Sequence, residues 1–137
     1  MLDIIIPVLN EEKILTKEAH YYQALKNRAR VIFVDGGSTD HTVAIAREYG
    51  EVITCSPGRA VQKNRGVQKS QSEHILFLHV DALIDEHALS RIDQILKEGS
   101  IGGCLTMRIC DNGLIFRIYE WVVNFRAKAF GVIDGDL

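Results

Sequence analysis

The stretch LDIIIPVLNEE, residues 2–12, decides how the rest of the chain is read. Leu2 to Leu9 form a short, continuous apolar run rich in isoleucine. Such a run suits a strand buried on both faces. Asn10 follows as a cap for a helix, with Glu11 and Glu12 in its first turn, where the dipole favours acids. That helix is predicted to run to about Arg28, with a rough apolar face of Ile14, Leu15, Tyr21, Tyr22 and Leu25.

The same alternation continues outward. Val31 to Val34 read as a second buried strand ending at Asp35, and Gly36-Gly37-Ser38 as a turn. Thr39 or Asp40 caps a helix carrying Val43, Ala44, Ile45, Ala46 and Tyr49, and Gly50 stops it. Glu51 to Thr54 are a third strand, Ser56-Pro57-Gly58 a loop, and residues 59–70 a polar helix bearing Arg59, Lys63, Arg65 and Lys69. Ile75 to Leu78 are a fourth buried strand, followed by His79-Val80-Asp81. Asp85 begins a helix with Ala88, Leu89, Ile92, Ile95 and Leu96 at 3.6 spacing, stopped by Gly99. A fifth strand is expected over residues 103–110, then a turn at Asp111-Asn112-Gly113 and a final helix from Leu114 to Phe130. Short strands joined by helical crossovers mean an α/β fold, Rossmann-like, with a mostly parallel sheet covered by helices on both faces.

Composition agrees with one soluble domain over residues 1–137. The chain is 47% hydrophobic and 25% charged, an ordinary globular balance that argues against disorder. Its formal net charge is −2, so it lacks a global basic footprint and no nucleic-acid partner is expected. The three cysteines, Cys55, Cys104 and Cys110, are odd in number and without C-x-x-C spacing. They read as reduced thiols, not as a disulfide framework or a four-cysteine zinc site. The N-terminus shows no positive n-region or cleavage site, and no stretch reaches about 18 uncharged apolar residues. A cytoplasmic location is expected, with the inner face of the membrane as a variant of it.

In open sheets of this kind, ligands bind at the carboxyl ends of the strands. There the chain places Pro7, Asn10 and Glu11 after strand one, Asp35 after strand two, Gly58 and Arg59 after strand three, and His79 and Asp81 after strand four. Each has an ordinary role as turn former, cap or surface charge. Turn chemistry alone has no reason to put acids at the ends of both strands two and four. A G-x-G-x-x-G after strand one is absent, as are a P-loop, H-E-x-x-H and G-x-S-x-G.

Four segments, PVLNEE (7–12), VDGGSTD (34–40), GRAVQKNRG (58–66) and FLHVDA (77–82), resemble the motifs of family 2 glycosyltransferases in order and spacing. They are most similar to a bacterial subgroup of that family. The resemblance implies the nucleotide-diphospho-sugar transferase fold, here with an incomplete C-terminal part. It implies a donor pocket lined by Pro7, Leu9 and Glu11, an acid, Asp35, that holds the base or ribose, and a wall of Arg59, Gln62, Asn64 and Gly66. The sequence departs from the commoner V-D-D-G-S at Gly36. The D-x-D metal element appears as His79-Val80-Asp81, so Asp81 is the stronger metal candidate and His79 the weaker.

The implied partners are a UDP- or GDP-type nucleotide-diphosphate sugar and a divalent cation, Mn or Mg, for transfer of the sugar to an acceptor hydroxyl. Arg59 would add a bidentate phosphate contact. The family's base usually lies on a later acidic motif. Gly135-Asp136 resembles the start of a G-D-Q segment, with Asp134 and Asp136 as acids near the acceptor side, so no catalytic residue is assigned. The alternative is a non-catalytic module of the same fold acting in self-association or partner binding. The apolar surface of residues 114–133, with Phe116, Trp121, Phe125 and Phe130, suits a homo-oligomer contact or peripheral contact with a membrane.

Overall fold

Four strands, β1 (Leu2–Val8), β2 (Arg30–Asp35), β3 (Glu51–Thr54) and β4 (His74–Phe77), pair in parallel in the order β3-β2-β1-β4. The computed structural model describes residues 2–106, 108–109, 111 and 113–130. The crossovers are α1 (Glu12–Lys17) with α2 (Ala19–Lys26), then α3 (Thr42–Tyr49), then α4 (Arg59–Lys69). Two further helices, α5 (Glu86–Lys97) and α6 (Leu114–Phe130), follow β4. The chain divides into two compact units, residues 1–83 and 84–137.

The first unit holds the sheet. Ile4, Ile5, Ile6, Ile32, Phe33 and Val34 are fully buried, as the unbroken apolar runs require of strands covered on both sides. One face gathers Ile5, Ile32 and Val34 with Ile53, Cys55 and Ile75 packed against them. On the other, the Tyr22 ring meets Phe33 edge-on at 5.7 Å and stacks on Tyr49 at 5.9 Å.

The sheet reverses direction at β1. The pairing of β1 with β2 runs to Val8↔Asp35, whereas that with β4 stops at Ile5↔Phe77. Their last backbone link is Leu78 N–H to the Ile5 carbonyl, 3.0 Å. Pro7, which has no N–H to donate, stands beyond that last pair, where a missing donor costs the ladder nothing. The gap between the ends of β1 and β4 is therefore the switch point of the sheet.

Helix α4 has little apolar surface, yet it packs on the sheet through Gln62, Gly66 and Ser70, four residues apart and so on one face. Gln62 Nε2 donates to the Val8 and Val34 carbonyls at 2.9 and 2.7 Å. Gly66 lies so close to Ile5 that a Cβ would meet Ile5 Cγ2 at 2.4 Å. Ser70 Oγ donates to Asp3 Oδ2 at 2.7 Å.

At the opposite edge of the sheet Asp3 is fully buried. It also accepts a bond from Ser72 Oγ at 2.7 Å and pairs with Arg30 at 3.3 Å. Arg30 continues to Glu51, and Glu51 to Lys69, at 2.7 and 2.8 Å. This chain of charges ties the starts of β1, β2 and β3 to the end of α4.

Several expected features differ: β4 is only part-buried, with Phe77 45% exposed, and α3 opens at Thr42 with His41, not Thr39 or Asp40, at its cap position. The helix drawn from residue 11 to Arg28 is two helices, broken at Glu18. At the break Glu18 N–H donates to the Ile14 carbonyl at 2.9 Å, and the Glu18 carbonyl accepts from Tyr22 N–H at 3.1 Å as α2 begins. The fifth strand is absent among the described residues 101–106 and 108–109. Ile101 is fully exposed and nothing packs against Gly102 or Gly103, so the segment has no neighbour to pair with. Met107 and Cys110 of that stretch lie outside the described residues, as do Asn112 of the expected turn and Asp134, Gly135 and Asp136. Cys55 and Cys104 are unbridged.

In the second unit Asp85 caps α5 by accepting from Ala88 N–H at 2.6 Å, as its place in the sequence predicts. Glu120 of α6 accepts from Ile109 N–H and pairs with Arg117 at 2.8 Å. Leu114, Ile115, Ile118 and Trp121 are exposed on the same helix. No helix among the described residues is long and apolar enough to cross a membrane.

Two outcomes follow from this packing. Gly66→Ala gains about 1 kcal/mol of helix propensity but forces a buried branch carbon of Ile5 to move, which costs about 1–3 kcal/mol. The net expectation is a lower urea midpoint at unchanged slope; a raised midpoint would mean that α4 is not seated on Ile5. Burial pushes the Asp3 carboxyl up, but bonds from Ser72, Ser70 and the Gln71 backbone, with the Arg30 charge, outweigh it and leave it below the usual range. Its contribution to stability is present above about pH 4 and lost as pH falls through the folded value. Urea midpoints below pH 4 should thus fall less steeply for Asp3→Asn than for the parent chain.

Candidate functional site

The candidate site lies in the first unit, at the carboxyl ends of the strands. The loop after β1 and the loop after β2 hold each other. Asn10 adopts a left-handed backbone, φ 56°, a conformation that asparagine tolerates better than most residues. Its N–H donates to Ser38 Oγ at 2.9 Å, and its side-chain oxygen accepts from Thr39 N–H at 2.8 Å. Glu11 N–H donates to the buried Thr42 Oγ1 at 2.7 Å, and His41 N–H to Glu12 Oε2 at 3.0 Å. Asn10 is thus not the helix cap that its position suggests. It is the strut between two loops, and Glu11 occupies the cap position of α1.

Asp35 is 2% exposed. Its carboxylate accepts from Gly37 N–H at 3.0 Å and from Ser38 N–H at 3.1 Å, which folds the glycine turn around it. Gly36 is held under Gln62 and Pro57. A Cβ there would lie 3.2 Å from Gln62 Nε2 and 3.3 Å from Pro57 Cα. A side chain at 36 would thus be in tight contact with the amide that bridges β1 and β2.

Beyond β4, Ala82 N–H donates to the His79 carbonyl at 3.1 Å, closing a turn around Val80 and Asp81. Val80 is buried and Asp81 exposed. The buried Tyr22 hydroxyl donates to the Val80 carbonyl. Burial, then the negative charges of Asp81 and Asp40, push the Glu11 carboxyl above its usual range. Asp40 and Asp81, from two other loops, thus bear on Glu11.

The described geometry sorts the expected residues. Glu11 and Asp81 share one electrostatic neighbourhood. Pro7 is half-buried and Leu9 exposed on the loop side of β1. Arg59 opens α4 and is exposed, as is Asn64 one turn on. The cap of α4, Gly58, offers no side chain to the first N–H groups of the helix. Such a terminus favours anions. Gln62 and Gly66 face the sheet, Gln62 with its amide nitrogen on two strand carbonyls. His79 is half-buried at the head of its turn. Among the described residues no three His, Cys, Asp or Glu side chains gather as a metal-holding group.

Sequence reasoning missed Asp40, Thr42, Ser38 and Tyr22 as parts of the site. Asp40 and Ser38 stood in the turn already marked. Tyr22 carried only the signal of an apolar helix face.

The model of the family described as glycosyl transferase family 2 matches residues 3–133. A curated relative, the 4,4'-diaponeurosporenoate glycosyltransferase of Staphylococcus haemolyticus (strain JCSC1435), is 27% identical over 129 residues, covering 87% of this chain and 34% of its own. The crystal structure of S. aureus TarS superposes with a TM-score of 0.67 at 23% identity, over 82% of this chain and 23% of that one. The mannosyltransferase PcManGT from Pyrobaculum calidifontis, in complex with GDP-Man and Mn2+, gives 0.61 at 20% identity, over 77% of this chain and 35% of that one. TarS 1-349 in complex with UDP-GlcNAc gives 0.57 at 22% identity, over 80% and 37%. These structures share the fold. The chain spans about a third of the length of the curated relative.

The electrostatic contact has a direct check. Removing the charge in Asp81→Asn should lower the Glu11 midpoint in a carbon-13 carboxyl titration, since one of the charges that raise it is gone. An unchanged Glu11 midpoint would separate the two groups.

Proposed function

This chain belongs to glycosyl transferase family 2, and we propose that it binds a nucleoside-diphosphate sugar at the β1/β4 switch point, with a divalent cation at Asp81. The observation that carries this reading is that Glu11 and Asp81, which follow β1 and β4, share one electrostatic neighbourhood at the carboxyl ends of the two strands between which the strand order reverses. Pro7, Leu9 and Glu11 would line the nucleoside, and Asp35 would steady the ribose or base from beneath the glycine turn. Arg59, the α4 N-terminus and Asn64 would meet the diphosphate. Gln62 and Gly66 would act from below, by fixing the strand ends on which that wall stands.

The donor set fits the cation. Hard divalent ions of the Mg type are commonly held by one or two carboxylates plus substrate phosphates, and Glu11 and Asp81 already concentrate negative charge. Asp81 is the first ligand candidate, with His79 second. Such an ion neutralises the charge of a leaving nucleoside diphosphate. The chain's own residues hold the donor so that an acceptor hydroxyl can attack the anomeric carbon as the bond to the diphosphate breaks. A donor of the UDP or GDP type is supported by the solved relatives, which carry UDP-GlcNAc and GDP-Man.

The exposed apolar residues of α6 favour a second reading, in which the chain acts as a module that associates with a second copy.

Thermal unfolding with UDP and with GDP, each with and without manganese, separates the two. A ligand at about 100 times its dissociation constant adds about 2.7 kcal/mol, a shift of several degrees for a chain of this size. The expected result is a manganese-dependent shift with one nucleotide, lost in Asp81→Ala. Cooperative melting that no nucleotide moves, together with a dimeric mass in light scattering, would give the lead to the association reading.

A further inference from the structure

We infer that Tyr22 is a positioning residue for the metal-side carboxylate, because its buried hydroxyl holds the peptide that carries Asp81. This rests on the reading of Asp81 as the cation's ligand. The last link of β4 to the sheet is Leu78 N–H to the Ile5 carbonyl. Beyond it the chain leaves the ladder, and Asp81 stands three residues on. The Tyr22 hydroxyl donates to the Val80 carbonyl across 58 residues of sequence. That carbonyl belongs to the peptide plane that ends at Asp81 Cα. A planar peptide pinned by its carbonyl also fixes the direction of its N–H and of the Cα that follows.

The pin is rigid. The Tyr22 ring is fully buried. It is held edge-on by Tyr21 at 5.2 Å and by Phe33 at 5.7 Å, and stacked on Tyr49 at 5.9 Å. Phenylalanine would serve that aromatic cluster as well, so packing alone does not account for the hydroxyl. Burial, and after it the charges of Tyr21, Asp81, Glu18 and Glu11, drive its proton affinity far above the usual tyrosine range. The hydroxyl therefore stays protonated and donating across the working pH range. The same influences place it within the field of both carboxylates proposed to face the donor.

The test uses the full chain and two variants, Tyr22→Phe and Tyr49→Phe. Tyr49→Phe removes a neighbouring hydroxyl from the same aromatic stack and serves as the control. Manganese affinity is measured by calorimetry at saturating UDP or GDP, whichever shifts the melt, and nucleotide affinity is measured separately in EDTA. Outer groups that orient metal ligands typically carry about 10-fold or more in metal affinity. Tyr22→Phe should weaken manganese by about 10-fold, leave nucleotide binding in EDTA at the parent value, and still melt cooperatively. Tyr49→Phe should match the parent in both. Parent-like manganese affinity in Tyr22→Phe, or equal losses with and without metal, overturns the positioning role and leaves the site reading standing. A parent chain whose nucleotide binding ignores manganese overturns the metal reading, and this role with it.

Discussion

The close seating of α4 on β1 is the contact on which the rest of the first unit depends. It is not a hydrophobic stripe. Gln62, Gly66 and Ser70, four residues apart, meet Val8, Ile5 and Asp3 along the length of β1. A glycine in the middle lets the helix approach until its backbone touches a buried isoleucine. A glutamine at one end then reaches two strand carbonyls, and a serine at the other reaches a buried carboxylate. Each end of the helix is satisfied by the edge of the sheet that it covers, so buried polar groups keep partners. Because the helix runs back along β1, its N-terminus falls at the carboxyl ends of the strands. The geometry that stabilises the layer also delivers the backbone donors to the candidate site.

From that seating the site is assembled by loops that hold one another more than by the sheet. Asn10, Ser38 and Thr39 lock the turns after β1 and β2 together, and Thr42 anchors Glu11 from α3. Asp35 closes its own turn, and Tyr22 holds the turn after β4. The result is a Glu11 carboxyl raised above its usual range, by burial first and then by the charges of Asp81 and Asp40.

The strands and crossovers were legible from residue order alone. Apolar runs bounded by turn residues mark the strands, which is why β1, β2 and β3 appear where the runs lie, β1 and β2 largely buried and β3 only part-buried, and the helices between them make the sheet parallel. The Asp85 cap and the span of α6 were legible for the same kind of local reason. The interruption at Glu18 was not, because no glycine or proline marks it. Among the described residues 103–106 and 108–109 the expected strand did not form, for a different reason. A strand is defined by its neighbour, and apolar alternation cannot say whether a neighbour is there.

Sequence alone determined the parallel, helix-covered sheet of the glycosyl transferase family 2 type and the placing of Glu11, Asp35, Arg59 and Asp81 after the carboxyl ends of its strands, because burial and turn chemistry are written in local residue order. Only the tertiary structure decided what those residues do to each other. Asn10 became a strut and not a cap, Gln62 and Gly66 turned to the sheet, and Gly36 came to lie close under Gln62 and Pro57. Tyr22, 58 residues from Val80, came to hold the turn that bears Asp81. Those roles depend on contacts between segments far apart in the chain, and such contacts exist only once the layers have closed.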